Sequence, residues 1–234
     1  MQNKIFVIDL DSTLIREQSQ GYLIKYLKDI KKISFFKYVI IMSGFILYKL
    51  SLYTNARQLL QFSLNNFTND TEENIYGYVN DFFEKTLKNK YFIHSKELVK
   101  LIQGSSSEIV ILSAVIDPLV KRICEDLKIS RYVSTKLEFN KGLFTGKIIS
   151  EHNYGDYKLD NIKKYLLENN MNEEDVVIIT DHISDISIIK YFKNPIIANP
   201  NSVMKKWARQ NNYPIIYLDN NESIQYIKHY IESK

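Results

Sequence analysis

Seven side chains of this chain could do chemistry together. Asp9 and Asp11 stand one residue apart at the end of the apolar run "KIFVI", and Thr13 follows two residues later. Ser113 follows "EIVIL", Asp181 and Asp185 follow "DVVII", and Lys158 lies in "NYGDYKLDNI". Taken singly, an aspartate or serine at the end of an apolar run is a capping or turn residue. Four carboxylates gathered from two such ends are different, because they repel one another unless a cation or a lysine compensates them. The chemistry such a cluster supports is therefore cation-assisted and built on carboxylates.

The gathering depends on the elements that carry these residues. Short apolar runs at 4–8, 108–112, 175–179, 195–198 and 214–218 read as strands buried on both faces. Stretches of helical period at 94–103, 117–128, 157–169, 201–211 and 221–232 alternate with them. Strand and helix in alternation predict an α/β fold, a doubly wound parallel sheet with helices on both faces. In such a sheet ligands collect outside the carboxyl ends of the strands, where Asp9, Asp11, Ser113, Asp181 and Asp185 would converge. Asp117-Pro118 and Asn199-Pro200-Asn201-Ser202 mark two of the helix starts.

The alternation is interrupted between residues 16 and 92, where no buried strand is evident and apolar residues recur at helical spacing. Tyr22, Leu23, Tyr26 and Leu27 form one set, Leu59, Leu60, Phe62 and Leu64 a second, and Ile75, Tyr78, Val79, Phe82 and Phe83 a third. Asp70 or Thr71, followed by Glu72 and Glu73, marks a helix start. The expected organisation is a core of residues 1–15 and 93–234 with an all-helical cap of residues 16–92 inserted after the first strand.

Bulk properties exclude several classes. With 45% hydrophobic and 25% charged residues over 234 positions the chain is globular rather than disordered. A net charge of +4 from nearly balanced acids and bases gives no ground for a nucleic-acid partner. The single cysteine, Cys124, excludes an internal disulfide and sits in a helix-period stretch as a packing residue. The opening "MQNKIFVIDLD" lacks the apolar length of a secretory signal, so the expected location is the cytoplasm.

"DLDST", Ser113, Lys158 and "TDHISD" occur in the order and setting of the four motifs of the haloacid dehalogenase-like phosphohydrolases, which the chain resembles along its whole length. The resemblance implies a Rossmann-like core and a Mg²⁺-dependent phosphatase in which Asp9 is the nucleophile, forming an aspartyl-phosphate. It implies that Asp9, the Asp11 backbone carbonyl and Asp181 surround Mg²⁺, with Asp185 holding a metal-bound water or Lys158. Asp11 would protonate the leaving alcohol and then activate water, and Thr13 would orient Asp11 or the backbone. Ser113 and Ala114 would bind phosphoryl oxygens, and Lys158 would neutralise the transferring group.

The helical cap between the first two motifs resembles the phosphoserine phosphatase-like branch. Three departures stand against that branch's own substrate or site. Ser113-Ala114-Val115 replaces Ser-Gly-Gly, Gln18 falls where a glutamate is expected with Glu17 one place out of register, and Thr180 replaces the glycine before Asp181, where a side chain would narrow the metal site. A neighbouring imidazole, His182, is softer than Mg²⁺ favours, and His94, His152 and His229 read as surface or capping residues.

The cap also contains "SFFKYVIIMSGFILYKL", residues 34–50, whose uninterrupted apolar core is too short to span a bilayer. It is a buried cap helix, a homodimer contact, or an interfacial element meeting a membrane or an amphiphilic substrate, with Lys31, Lys32, Lys37 and Lys49 suited to anionic headgroups. The substrate is accordingly a small-molecule or lipid phosphate. Two other functions share the motifs, a phosphotransferase or mutase using the same aspartyl-phosphate and a non-catalytic binding module on the same fold.

Overall fold

The structure, a computed structural model, describes residues 4–49, 52, 55–149 and 155–232. His152, expected to be a surface or capping residue, lies outside them, as does residue 50 of the apolar segment.

The chain opens with β1 (Ile5–Ile8), all four residues buried. Among the described residues five α-helices precede the next strand, the first four being α1 (Ser19–Asp29), α2 (Phe35–Lys49), α3 (Ala56–Leu64) and α4 (Glu72–Phe82). Asn55 caps α3 by accepting from the Gln58 amide at 2.9 Å, and Thr71 caps α4 by accepting from the Asn74 amide at 3.2 Å. Then come α5 (Ser95–Gln103), β2 (Glu108–Ile116), α6 (Asp117–Leu127), β3 (Arg131–Thr135), β4 (Leu137–Asn140) and β5 (Leu143–Ile148). The chain ends with α7 (Asp156–Glu168), β6 (Val176–Thr180), α8 (Ile186–Tyr191), β7 (Asn194–Ala198), α9 (Ser202–Gln210), β8 (Ile215–Ile216) and α10 (Asn221–Glu232).

Six strands form one sheet in the order β3-β2-β1-β6-β7-β8, and every pairing in it is parallel. The α/β, doubly wound expectation therefore holds. Alternation along β1 divides the core, since successive side chains of a strand point to opposite faces. Phe6 and Ile8 join the cluster that includes Leu98, Ile102, Leu119 and Ile123 of α5 and α6. Ile5 and Val7 join Ile162 and Leu166 of α7 and Ile188 of α8 on the other face. Cys124 packs in the first cluster, and burial pushes its thiol up to about 12, so it is an inert core residue.

Three of the differences from the sequence expectation bear on the ends of β2 and on the helical segment. Strand β2 does not stop at Leu112 but continues to Ile116, with the register against β3 shifting between Leu112 and Ile116. Ser113 therefore sits within the strand, where regular pairing with β3 breaks, and not after it. Helix α6 begins at Asp117 itself with Ile116 as its N-cap; Asp117 instead accepts from the Ser134 hydroxyl at 2.7 Å. Residues 137–148, where the sequence predicts no element, form an antiparallel hairpin. It docks on the helical segment, Asn69 donating its amide to the Phe144 carbonyl and Phe144 its amide to the Asp70 carbonyl, each at 2.9 Å.

Both crossings between the sheet and the helical segment lie side by side. Ile15 bridges Tyr91 antiparallel, the Arg16 amide donates to the Lys90 carbonyl at 2.8 Å, and the Phe92 amide donates to the Leu14 carbonyl at 3.1 Å. This short ladder ties the turn that carries Asp11 and Thr13 to the return of the insertion.

Candidate active site

The site begins where β1 runs out at the sheet centre. The Asp9 amide still donates to the Ile179 carbonyl of β6 at 3.0 Å, which fixes Asp9 beside the start of the Asp181 loop. A tight turn follows: the Leu10 carbonyl accepts from the amides of Thr13 (3.2 Å), Leu14 (2.9 Å) and Ile15 (2.9 Å), with Ser12 in the left-handed region at φ 59°. That conformation is costly for a residue with a Cβ. It is held by Gln18, whose side-chain amide donates to Ser12 Oγ at 3.1 Å, and by Asn199, whose amide donates to the Thr13 carbonyl at 2.9 Å.

Lys158 arrives from the other face, in the first turn of α7. Gly155 immediately before that helix has φ 59° and ψ −136°, a region open essentially to glycine alone. The lysine is 5% exposed, and its Nζ lies 3.1 Å from Asp9 Oδ1 and 2.7 Å from Asp185 Oδ2. The Thr180 hydroxyl donates to the same Asp185 oxygen at 2.5 Å. Burial opposes charge on Lys158, but Asp185 and Asp9 outweigh it and hold the ammonium above its ordinary range.

The other carboxylates are under-compensated. Asp181 accepts from the Thr13 hydroxyl at 3.2 Å, and burial followed by the nearby Asp9 charge pushes it up to about 8. Burial pushes Asp9 up to about 6 against the pull of Lys158. Asp11 accepts from the Ser19 amide at the start of α1 at 3.0 Å, yet burial, helped by Asp9, raises it to about 7. Its Oδ1 is buried without a hydrogen-bond partner.

These features fit a hard divalent cation. Among the described residues no three His, Cys, Asp or Glu side chains are grouped closely enough to hold a metal by themselves. Asp9 and Asp181 could supply donors together with a backbone carbonyl, and oxygen donors of that kind suit Mg²⁺. Asp185 has a competing commitment, its Oδ2 being held by Lys158 and Thr180.

Thus Asp9, Lys158, Asp185 and Thr180 form one connected group, and Thr13 and Asp181 a second. Thr13 bonds Asp181 rather than Asp11. Ser113 is 1% exposed and accepts from the Val115 amide at 3.3 Å, which leaves its hydroxyl proton to donate. The Ala114 carbonyl accepts from Gln20 of α1 at 3.1 Å and from the Thr135 hydroxyl at 2.8 Å, joining the helical segment to the end of β2. His182 caps the turn before α8 by accepting from the Ser184 amide at 3.1 Å, and burial lowers its pKa. Two contributors were missed in the sequence, Gln20 and Asn199. Asn199 also accepts from the Leu218 amide at 2.8 Å; only its place after the β7 run hinted at a rim position.

A parallel sheet with buried carboxylates and one lysine at its carboxyl rim defines a class, and the family comparison agrees with it. Residues 6–190 match the haloacid dehalogenase-like hydrolase family model, and the chain belongs to that family. It is 26% identical over 92 residues to a phosphoserine phosphatase of Lactococcus lactis subsp. lactis strain IL1403, 39% of this chain and 43% of the relative. It is 18% identical over 135 residues to a phosphoserine phosphatase of Mycobacterium tuberculosis strain H37Rv, 58% of this chain and 44% of the relative. The chain thus spans less than half the length of these relatives. The fold is shared over 93% of the chain with a protein of unknown function from Bordetella pertussis Tohama I, covering 100% of it at TM-score 0.85 and 16% identity. It is also shared with a phospho-aspartyl intermediate analogue of phosphoserine phosphatase, at TM-score 0.68 and 17% identity over 98% of this chain and 99% of that one.

Proposed function

We propose that the protein is a Mg²⁺-dependent phosphatase that hydrolyses a phosphate monoester through a covalent phosphoryl group on Asp9. The observation that carries this reading is the buried Lys158 ammonium, 3.1 Å from Asp9 and 2.7 Å from Asp185 at the carboxyl end of β1. An attacking carboxylate and a phosphate dianion repel each other, and a fixed cation beside the nucleophile lowers that cost as the transition state forms.

In the first step an Asp9 carboxylate oxygen bonds to phosphorus as the ester oxygen leaves, taking a proton from Asp11. In the second, water attacks the phosphoryl-Asp9, Asp11 takes the proton from that water, and the bond to Asp9 breaks to release orthophosphate. Burial and the Asp9 charge hold Asp11 near 7, where one group can give and then take a proton. Ser113 has a hydroxyl proton to give a phosphoryl oxygen, next to Ala114, and Asp185 with Thr180 anchors Lys158. Asp9, Asp181 and the Asp11 carbonyl would hold Mg²⁺, which supplies charge neutralisation to the phosphoryl oxygens when bound.

The substrate is a small or amphiphilic organic phosphate, with phosphoserine disfavoured. Gln18 donates its side-chain amide to Ser12 and Glu17 pairs with Lys90 at 3.4 Å, commitments that disfavour either as a reader of an amino-acid ammonium.

The test is phosphate release from an aryl phosphate, with Mg²⁺ and with EDTA, for wild type and Asp9→Asn. Metal-dependent release that the substitution abolishes is the expected result. Release at the wild-type rate by Asp9→Asn would overturn the assignment, and a product yield raised by an added alcohol acceptor would identify a phosphotransferase instead.

A further inference from the structure

Helix α2 is apolar on every side, yet only one side is packed. Tyr38, Ile41 and Phe45 face the core at spacings of three and four. The opposite side repeats the spacing in the open: Phe36 is 74% exposed, Ile46 58%, Leu47 43%, and Val39 and Ile40 42% each, with Phe35 at 71% beside them. A helix that is hydrophobic all round is ordinarily covered all round. A bare apolar stripe of this kind, broken only by the exposed Ser43, on a globular surface marks an interaction site.

Charge narrows the occupant. From Ile30 through Asn69 the sequence contains no Asp or Glu, while Lys31, Lys32, Lys37, Lys49 and Arg57 fall within it. Lys32 pairs with Asp70 at 2.7 Å, Lys37 is hydrogen-bonded to Asn66, and Lys31 is exposed next to the start of the helix. An isologous contact with a second copy would set this acid-free, basic stretch against itself, which repulsion disfavours. An anionic lipid surface satisfies both properties, taking the apolar stripe into the headgroup boundary and the basic groups at its edge. The geometry is of lying on a bilayer and not of crossing it. Fifteen helical residues extend about 22 Å against a hydrocarbon core of about 30 Å, and among the described residues no helix is long and apolar enough to span.

We infer that the outward face of α2, from Phe35 to Leu47, docks this protein onto anionic bilayer surfaces. The inference is independent of the reaction at Asp9, and its test uses no turnover.

The test is co-flotation of the full chain with phosphatidylcholine vesicles and with phosphatidylcholine–phosphatidylglycerol vesicles. Wild type is expected to float with the anionic vesicles and several-fold less with the neutral ones, with salt weakening the association. Phe36→Ser combined with Ile40→Ser should lower flotation at least about tenfold, and Lys31→Glu about fivefold or more, near one charge contact's worth. Both variants alter exposed side chains, and circular dichroism checks that the fold is kept. Wild-type protein that stays with neither vesicle, or that binds both equally, would overturn the inference. So would concentration-dependent dimerisation that the double substitution abolishes in the absence of lipid, which would assign the face to a second copy.

Discussion

Thr180 donates its hydroxyl to Asp185 Oδ2 at 2.5 Å, and Lys158 donates to that same oxygen at 2.7 Å. The residue standing where a glycine is expected is thus built into the anchor of the lysine, and its side chain is turned to a use the sequence could not show. Thr180→Val keeps the shape and removes the donor from a fully buried carboxylate. A hydrogen bond to a charged group is worth about 1.5–3 kcal/mol. The urea midpoint should fall correspondingly, kcat on an aryl phosphate should drop several-fold, and Thr180→Ser should restore both. Unchanged stability and rate in the valine variant would show that Lys158 alone holds Asp185.

The metal-free site should make the protein less stable as pH rises. Burial lifts Asp9 to about 6, Asp11 to about 7 and Asp181 to about 8, against roughly 3.9 for an unfolded aspartate. The folded state therefore holds protons that the unfolded state has released. Its contribution to stability is complete below about pH 4 and disappears as pH rises through about 6 to 8. Exposed acids with lowered values, such as Asp219 held down by the Arg16 hydrogen bonds, act in the opposite direction at lower pH. Chemical denaturation in EDTA should accordingly show a falling midpoint between pH 5 and pH 8.5, roughly the window these values define. Asp181→Asn should flatten the curve, and Mg²⁺ at pH 8.5 should raise the wild-type midpoint more than that of the variant.

Lys158 should be costly to replace. It is enclosed between Asp9 and Asp185, so Lys158→Met leaves two buried carboxylates without their cation, a loss of about 3–5 kcal/mol when one partner of a buried ion pair is removed. Activity should be lost along with affinity for inorganic phosphate, measured as competitive inhibition. The double substitution Lys158→Met with Asp185→Asn should recover part of the stability and none of the activity, because it removes one orphaned charge but restores no cation beside Asp9.

Much of this site could be read before the structure because its residues follow apolar runs that are buried on both faces. Asp9, Asp11, Asp181 and Lys158 each sit at a boundary marked by a composition change or by Gly155. Side-chain alliances were not legible in the same way. Nothing in the spacing of Thr13, Asp181 and Asn199 says which oxygen a hydroxyl or amide will choose, since those partners come from separate strands 168 and 186 residues apart in sequence. Strand β3 escaped because it is an edge strand whose five residues, half-buried or buried, are mostly polar and form no apolar run, and α8 because six residues are too few to show a period. The β4–β5 hairpin did carry a signal. Lys141 and Gly142, with φ 50° and 78°, form the two-residue turn that joins runs of alternating residues. The bare side of α2 could not be seen at all, because a helix apolar on both faces has no pattern that distinguishes the packed side from the open one.

Gly155 should be the most revealing glycine to substitute. Among the described residues an added Cβ would meet nothing within 4 Å, so the expected effect of Gly155→Ala is backbone strain and not a clash. The conformation at φ 59° and ψ −136° costs a residue with a side chain about 1–3 kcal/mol. The chain can pay that in two ways. If α7 keeps its place, the whole penalty appears as a lower unfolding midpoint with kcat unchanged. If the helix start relaxes instead, stability is partly preserved but Lys158, in its first turn, shifts from Asp9, so kcat falls while the midpoint moves little. Because Lys158 is anchored by Asp9 and by Asp185, itself held by Thr180, the first outcome is expected: a drop in the urea midpoint with kcat within about twofold of wild type. A large loss of kcat at nearly unchanged stability would show that Gly155, and not the Asp185 anchor, sets the position of the lysine.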